Sequence, residues 1–499
     1  MARLRVNDQA LRNFLSVLFG FALGGVNNLV ILPWAFAGDL GEWGLVRIVM
    51  AWGTLIAPIL LFGAPAAMNR YSGVMGRKQQ IPQLIGTLIR PSIVLFAACI
   101  ALPAFLFPDS VSKLLQLGEE QRSAVQPIAI LVAIIMAQLF LASFLSTKLK
   151  TSLSTFFQET VFKLGYAGLA LSLGLGYLSK PHFLPAFIGL NFFVLLALIA
   201  QALANQFKVD LRGLKKSEHR KEIRHYGGAM MIGSSAIIIL NQLDIIMVGS
   251  LIGLDQVPVF TVAVFIATVT ALPTRASIRL LTPLISRALD QHDADEIKRL
   301  TQLSHRTLLL GCGWILTCLW VATPEIDQLI PSEFQGLSMV ILALGSMKLI
   351  QGSSTGSSVL LSQSNHYQKV MILNWGMLAV AIPLNLLFIP KSGLGLGVLG
   401  AALATLITVG LSTLAKQVII WRIWKRFVPN VQTLMICGIL LIPAVSLVHW
   451  TPGWHPVIAL LVKSTVVTAW AAFGTIRFNL TPEGVQFVLK KAPWLSRRN

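Results

Sequence analysis

The sequence predicts an all-α, polytopic membrane protein with about fourteen transmembrane helices, on three observations. The chain has 499 residues, of which 55% are hydrophobic and 12% are charged, whereas soluble domains carry about 25% charged residues. Its mean hydropathy is +0.73. A helix needs about 20 apolar residues to cross a bilayer. Apolar runs close to this length recur from Phe14 to Arg477, separated by short polar stretches.

The apolar runs divide into two sets of six followed by a last pair. This division predicts two six-helix lobes and a C-terminal helix pair, with boundaries at residues 1–215, 216–430 and 431–499. The predicted spans are residues 14–36, 44–68, 91–107, 125–145, 160–178, 185–206, 227–250, 257–286, 307–323, 335–361, 371–389, 397–420, 432–450 and 456–476.

A weak internal repeat supports the two lobes. At an offset of about 214 residues, Asn27-Asn28 aligns with Asn241-Gln242, and Ser146 aligns with Ser362 at a similar offset. Because each half holds six spans, both halves begin on the same side of the membrane, as in parallel repeats of secondary transporters. Such a repeat predicts a substrate path between the halves.

The net charge of +20 comes from 40 Lys and Arg against 20 Asp and Glu. About three quarters of the basic residues fall in segments that are cytoplasmic if the N-terminus is cytoplasmic, which predicts that both termini face the cytoplasm. The densest cluster, Lys208–Arg224, is interpreted as an orientation signal, with an anionic-lipid patch as the alternative. The acids assigned to external loops include Glu42, Glu325 and Asp327. The basic residues are not gathered on one folded face, so nucleic acid is not a predicted partner.

No catalytic, metal or cofactor site is predicted. The four cysteines (Cys99, Cys312, Cys318 and Cys437) lie in apolar runs without CxxC spacing, and no HExxH, GxSxG or P-loop pattern occurs.

Charges inside spans are costly and usually face a cavity or a partner, so they are the candidate site. Lys348 lies near the middle of the tenth predicted span, where it either faces a cavity or pairs with a neighbouring helix. Arg275 and Arg279 share one face of the eighth span, and two such cations suit a phosphate or carboxylate unless they extend to headgroups. Arg47 is either a ligand residue or a partner of Glu42 and external headgroups.

The remaining residues of interest in the spans are one acid, two lysines near span ends, four amide side chains and four prolines. Asp244 is a candidate for proton or cation coupling, with a structural cap or pair as the alternative. Lys416 and Lys463 lie near span ends and are expected to extend to the interface. The remaining predicted polar residues of the cavity are Asn27, Asn28, Asn241 and Gln242, and the predicted kinks or hinges are Pro58, Pro65, Pro273 and Pro283.

Three stretches resemble a known family. They are Leu243-Asp244-Ile245-Ile246-Met247-Val248-Gly249 with Pro273-Thr274-Arg275, Asn385-Leu386-Leu387-Phe388-Ile389-Pro390 with Gly397-Val398-Leu399-Gly400, and Gly41-Glu42-Trp43-Gly44-Leu45 with Gly63-Ala64-Pro65-Ala66. In order and spacing they are similar to the polysaccharide-type flippases of the multidrug/oligosaccharidyl-lipid/polysaccharide exporter superfamily. Lipid II flippases of that superfamily have arginines in the first helix, whereas this chain has no cation between Phe14 and Phe36.

The resemblance implies translocation of an undecaprenyl-pyrophosphate-linked oligosaccharide across the bacterial inner membrane, by alternating access through a cationic cavity between lobes. The implied partners are the lipid-linked oligosaccharide, membrane lipids, a proton or sodium ion, and other glycan-assembly proteins. The alternatives are a cation-coupled multidrug exporter, a glycan polymerase or ligase, and a membrane scaffold. The short predicted external loops disfavour a polymerase or ligase, and Asp244 is nearly the only acid available for coupling in an exporter.

Overall fold

The computed structural model describes residues 16, 19–115, 124–148, 150–210, 212, 218–334, 336–424, 431–450 and 453–478. Every regular element within these ranges is a helix. Nine of the described helices are long and apolar enough to cross a membrane, or ten if one bent pair forms a single span. Three shorter apolar helices and the segment from Thr151 to Gly174 account for the remaining predicted spans. The predicted all-α, multi-pass membrane fold is therefore confirmed.

The contacts divide the chain into two compact units, Met1–Thr261 and Val262–Asn499. The predicted boundaries at 215 and 430 remain predictions, because compactness does not measure where a repeat begins. The helices of the first unit are α1 (Phe19–Ala35), α2 (Leu40–Leu60), α3 (Ala64–Arg77), α4 (Ile81–Leu106), α5 (Pro108–Leu114), α6 (Val125–Thr147), α7 (Thr151–Thr155), α8 (Phe162–Gly174), α9 (Lys180–Ala204), α10 (Glu218–Leu251) and the start of α11 (Gln256–Thr268).

The second unit contains the rest of the chain. Its helices are α12 (Leu272–Asp290), α13 (Ala294–Val321), α14 (Thr323–Leu329), α15 (Ser338–Ser353), α16 (Thr355–Gln363), α17 (Tyr367–Phe388), α18 (Gly397–Trp424), α19 (Val431–Val448) and α20 (Pro456–Arg477). In the first unit α2 and α9 pack on α6, and α10 packs on α2. In the second, α15 packs on α13 and α18, and α13 packs on α19 and α20.

Helix boundaries repeat between the units at nearly the offset predicted from the sequence. Residues Ile81 and Ala294 begin corresponding helices, and Gln79 and His292 in the turns before them both have a positive φ, of 56° and 54°. A non-glycine residue in the left-handed region is uncommon, so the same exception in both turns supports a duplicated helix bundle.

The predicted kinks coincide with breaks at two places. Between Pro58 and Pro65 the chain leaves the helix after Leu60 and resumes at Ala64, with Gly63 at φ +69°. A Cβ on Gly63 would collide with the backbone of Gly227, so this turn also allows α10 to approach closely. The 3₁₀ turn Val269–Ala271 precedes Pro273, whereas Pro283 lies inside α12 without a break.

Candidate functional site

Arg47 lies partly buried on α2, one turn after the fully buried Trp43. Its Nε donates to the Thr261 hydroxyl at 3.3 Å, and Tyr166 on α8 lies close enough to interact electrostatically. The predicted alternative of an ion pair with Glu42 is not observed among the described residues. The Thr261 hydroxyl is neutral, so it does not compensate the charge of the guanidinium. Arg47 can therefore still bind an anion.

The first predicted asparagine pair makes one hydrogen bond between helices and one within a helix. Asn27 is 1% exposed and donates to the Lys163 carbonyl at 2.8 Å, which joins α1 to α8. Its Oδ1 has no partner among the described residues. Asn28 donates to the Gly24 carbonyl of its own helix. Asn27 begins a π-helical turn, Asn27–Ile31, a feature that often occurs at functional sites.

The remaining predicted polar residues of the first unit lie on α10. Asn241 is exposed, whereas Gln242 and Asp244 are partly buried. These residues share the helix that packs on α2, which carries Arg47. The roles predicted for them from the sequence stay predictions.

The predicted cations of the second unit lie on two helices. Arg275 is exposed in the first turn of α12, and Arg279 follows one turn later on the same helix. Lys348 is partly buried on α15, ten residues after its first residue, about 15 Å along the axis. Because α15 begins at Ser338 rather than at residue 335, Lys348 lies less deep along its helix than its predicted span implied.

A polar band that the sequence analysis missed surrounds the break between α15 and α16. Ser354 and Ser357 are almost fully buried there. His305 on α13 interacts with the Ser353 carbonyl at 3.0 Å through Nδ1, and Gln417 on α18 donates to the Ser357 hydroxyl at 3.2 Å. The His305 contact supplies a partner for a backbone carbonyl at the end of α15, and the Gln417 contact supplies one for a side-chain hydroxyl of α16. A serine-rich stretch inside a predicted span, here Ser353–Ser358, is the sequence signal for such a break.

Lys416 and Lys463, which were expected to extend to the membrane interface, both contact groups inside the protein. The Lys416 ammonium lies 3.4 Å from the Ser358 hydroxyl, inside the second unit. For Lys463 the prediction was wrong: it is 0% exposed and pairs with Glu325 at 2.6 Å. Glu325 is 4% exposed, although the sequence analysis assigned it to an external loop.

The ion pair Lys463–Glu325 lies at the 60° bend between α13 and α14. The Lys463 ammonium also donates to the Val321 carbonyl at 3.3 Å, at the C-terminal end of α13, where a cation is favoured by the helix dipole. The Glu325 Oε2 has no partner among the described residues. The pair holds α20 against this bend, because burying either charge without the other would be energetically costly.

A cluster on α3 and α10 joins two helices of the first unit. The Arg70 guanidinium lies 4.3 Å from the centre of the Tyr226 ring, and the Tyr71 hydroxyl lies 3.0 Å from Glu222 Oε1. Burial, followed by this contact with Glu222, raises the pKa of Tyr71. Both Arg70 and Glu222 are exposed, so the cluster stabilises the packing of α10 on α3 only modestly.

We expect Arg70→Ala to lower the free energy of unfolding by about 0.5–1 kcal/mol, since it removes an exposed cation–π contact. Thermal unfolding of the purified protein would measure this loss. Lys208→Ala, which removes an exposed cation of the same unit without an aromatic contact, is the control. Equal losses in the two variants would contradict a specific contribution of the Tyr226 contact.

Among the described residues, no group of three or more His, Cys, Asp or Glu side chains is arranged to hold a metal ion.

Comparison with known proteins identifies the fold. The lipid II flippase MurJ in an inward closed conformation aligns with 94% of this chain and 98% of its own, at a TM-score of 0.73 and 15% identity. An inward-facing multidrug resistance MATE family transporter of the MOP superfamily aligns with 82% of this chain and 96% of its own, at a TM-score of 0.59 and 15% identity. An outward-facing multidrug resistance MATE family transporter aligns with 84% of this chain and 96% of its own, at a TM-score of 0.53 and 14% identity.

No protein-family model matches the chain, and no curated protein matches it. At these identities the likeness shows the fold alone. The chain therefore has the fold of MOP-superfamily flippases and transporters.

Proposed function

We propose that the chain translocates an undecaprenyl-pyrophosphate-linked oligosaccharide across the cytoplasmic membrane for surface polysaccharide synthesis, by alternating access. The observation that carries the proposal is Arg47, a partly buried cation in a transmembrane helix that is held by the neutral Thr261 hydroxyl. Such a cation suits a pyrophosphate, which accepts several charge-assisted hydrogen bonds. Arg275, Arg279 and Lys348 are the proposed partners of Arg47 in substrate binding.

The fold and the cations support this substrate class together. The MurJ structure is that of a lipid II flippase, and a lipid-linked substrate of this chain would likewise combine a long apolar tail with an anionic linkage. Residues 14–36 carry no cation, which favours a glycan other than lipid II. The proposed orientation, with both termini in the cytoplasm of a bacterial cell, rests on the distribution of Lys and Arg.

The MATE likeness supports one competing function, a cation-coupled exporter of small molecules. An exporter of organic cations needs carboxylates on its path, and Asp244 is the predicted candidate. The cations Arg47, Arg275 and Lys348 would repel such a substrate. The flippase is therefore the better-supported proposal.

Deletion of the gene is expected to abolish the surface polysaccharide and to cause a lipid-linked oligosaccharide to accumulate in the host membrane. Extraction of undecaprenyl-linked intermediates, together with an assay of surface polymer, measures both effects. Complementation with the wild-type gene is the control. Normal surface glycan with increased sensitivity to cationic dyes would instead support the exporter.

A further inference from the structure

A cavity of about 540 Å³, lined by both polar and apolar side chains, lies at one end of the second unit, where the ends of α12, α16 and α18 meet the start of α13. We call it the rim cavity. The side chains that matter for its chemistry are Asp290, His292, Gln363, Asn365, His366 and Trp424. It is separate from the proposed substrate cations, because Asp290 lies fifteen residues after Arg275 on α12, about 22 Å along the helix.

Two short turns that border the rim cavity are fixed by their own hydrogen bonds. In the first, His292 adopts a left-handed conformation with φ 54°, and Asp293 caps α13 by accepting from the amides of Asp295 and Glu296 at 3.1 and 2.9 Å. In the second, the Ser364 hydroxyl accepts from the His366 amide at 3.2 Å. The backbone of these turns is therefore fixed beside the cavity before any ligand binds, which lowers the entropic cost of binding.

Trp424 forms the aromatic wall of the cavity. Its ring packs against the buried residues Leu361 and Ile420 and lies edge-on to His366, with 5.9 Å between ring centres and an interplanar angle of 89°. Trp424 itself is partly buried. Packing on one side and an aromatic edge on another restrict the indole, so it presents a rigid apolar surface next to polar groups.

The hydrogen-bonding groups of the rim cavity are mainly uncharged. Asp290, Gln363 and Asn365 are exposed, and in the described part of the chain their side chains have no hydrogen-bond partner. No lysine or arginine among the described residues lines the cavity. Among the described lining residues a phosphate would find no lysine or arginine, whereas a polyhydroxyl ligand would find amide donors, a carboxylate acceptor and imidazoles.

We propose that the rim cavity binds carbohydrate, with one apolar face of a sugar ring on Trp424 and the sugar hydroxyls on Asp290, Gln363 and Asn365. The inference deepens the proposed function and rests on it for the source of the sugar, the glycan of the lipid-linked substrate. The rim cavity and Arg275 lie on the same helix about 22 Å apart. That separation lets an extended glycan contact the cavity while its pyrophosphate lies near the cations.

The test uses the full chain in lipid nanodiscs with two probes. The first is the free oligosaccharide that mild acid releases from the host's lipid-linked intermediates, detected by saturation-transfer NMR, and the second is inorganic pyrophosphate. We expect Trp424→Ala and the double variant Gln363→Ala/Asn365→Ala to weaken oligosaccharide binding about tenfold or more, with pyrophosphate binding unchanged. Arg275→Ala is expected to weaken pyrophosphate binding instead.

Trp421→Ala is the matched control, because Trp421 lies one turn before Trp424 on α18, is exposed and does not line the cavity. The double variant changes only exposed side chains, so it remains informative if Trp424→Ala does not fold. No oligosaccharide signal from the wild type, or equal losses in Trp421→Ala and Trp424→Ala, would overturn the rim-cavity proposal. Oligosaccharide binding in a protein whose deletion leaves surface glycan unchanged would support the cavity and remove the flippase proposal.

Discussion

Neutralising only one partner of the Lys463–Glu325 pair is expected to lower the free energy of unfolding of the second unit by about 3–5 kcal/mol, because the other charge stays buried without a counter-ion. Lys463→Met leaves the Glu325 carboxylate uncompensated. Glu325→Gln leaves the ammonium with only the Val321 carbonyl at 3.3 Å and a neutral amide. Thermal unfolding and the fraction of monodisperse protein after purification in detergent measure the loss.

The double variant Glu325→Gln/Lys463→Met is expected to recover most of this stability, since replacing both members of a buried pair by neutral groups is often nearly neutral. The difference between the double variant and the sum of the single variants then gives the coupling energy. Lys416→Met is the matched control, because that ammonium is partly buried and only 3.4 Å from a neutral hydroxyl. A double variant as unstable as the worse single variant would show that the two charges are not coupled.

Removing the intramembrane cations is expected to abolish or greatly reduce glycan export while membrane insertion stays intact. The variants are Arg47→Ala, Arg275→Ala and Lys348→Ala. Each lost hydrogen bond to a charged group costs about 1.5–3 kcal/mol, which corresponds to about 10- to 100-fold in affinity. Export is measured by complementation of the deletion strain, and insertion by the protein content of the membrane fraction.

Two further variants make the cation experiment specific. Arg287→Ala removes an exposed arginine from the last turn of the helix that carries Arg275, and it is expected to export normally. Arg47→Lys keeps the charge but loses the planar fork that binds two phosphate oxygens, so it is expected to export less than the wild type and more than Arg47→Ala. Normal export by Arg275→Ala and Lys348→Ala together would remove both residues from the proposed site.

The order of the helices was predictable because the length of each apolar run and the turn residues that follow it are local features of the sequence. Helix α6 begins at Val125, where its span was predicted to begin, and the turn residues at Gly63 lie between the two prolines predicted as kinks. The break at Ser354, between α15 and α16, was not predicted. It has no proline, and its stability comes from His305 and Gln417, which lie on other helices.

The candidate site was predictable only in part, because side-chain partners depend on helices far apart in the chain. A cation in an apolar run is visible in the sequence, so Arg47 and Lys348 were found. Nothing local indicates that Arg47 contacts Thr261, or that Lys463 is paired within the protein rather than extended to the membrane surface. The rim cavity was missed because its residues come from four helix ends and each looks like an ordinary solvated turn.

Glu325 and Lys463 are far apart in the sequence, so the ribosome makes them at different times. Lys463 follows Glu325 by 138 residues. At about 5–20 residues per second, the ribosome needs roughly 7–30 s to make that stretch. During this interval Glu325 has been synthesised without its counter-ion, and a carboxylate without a partner is costly to bury. Insertion of α20, the last of the described helices, is therefore expected to complete the bend after α13.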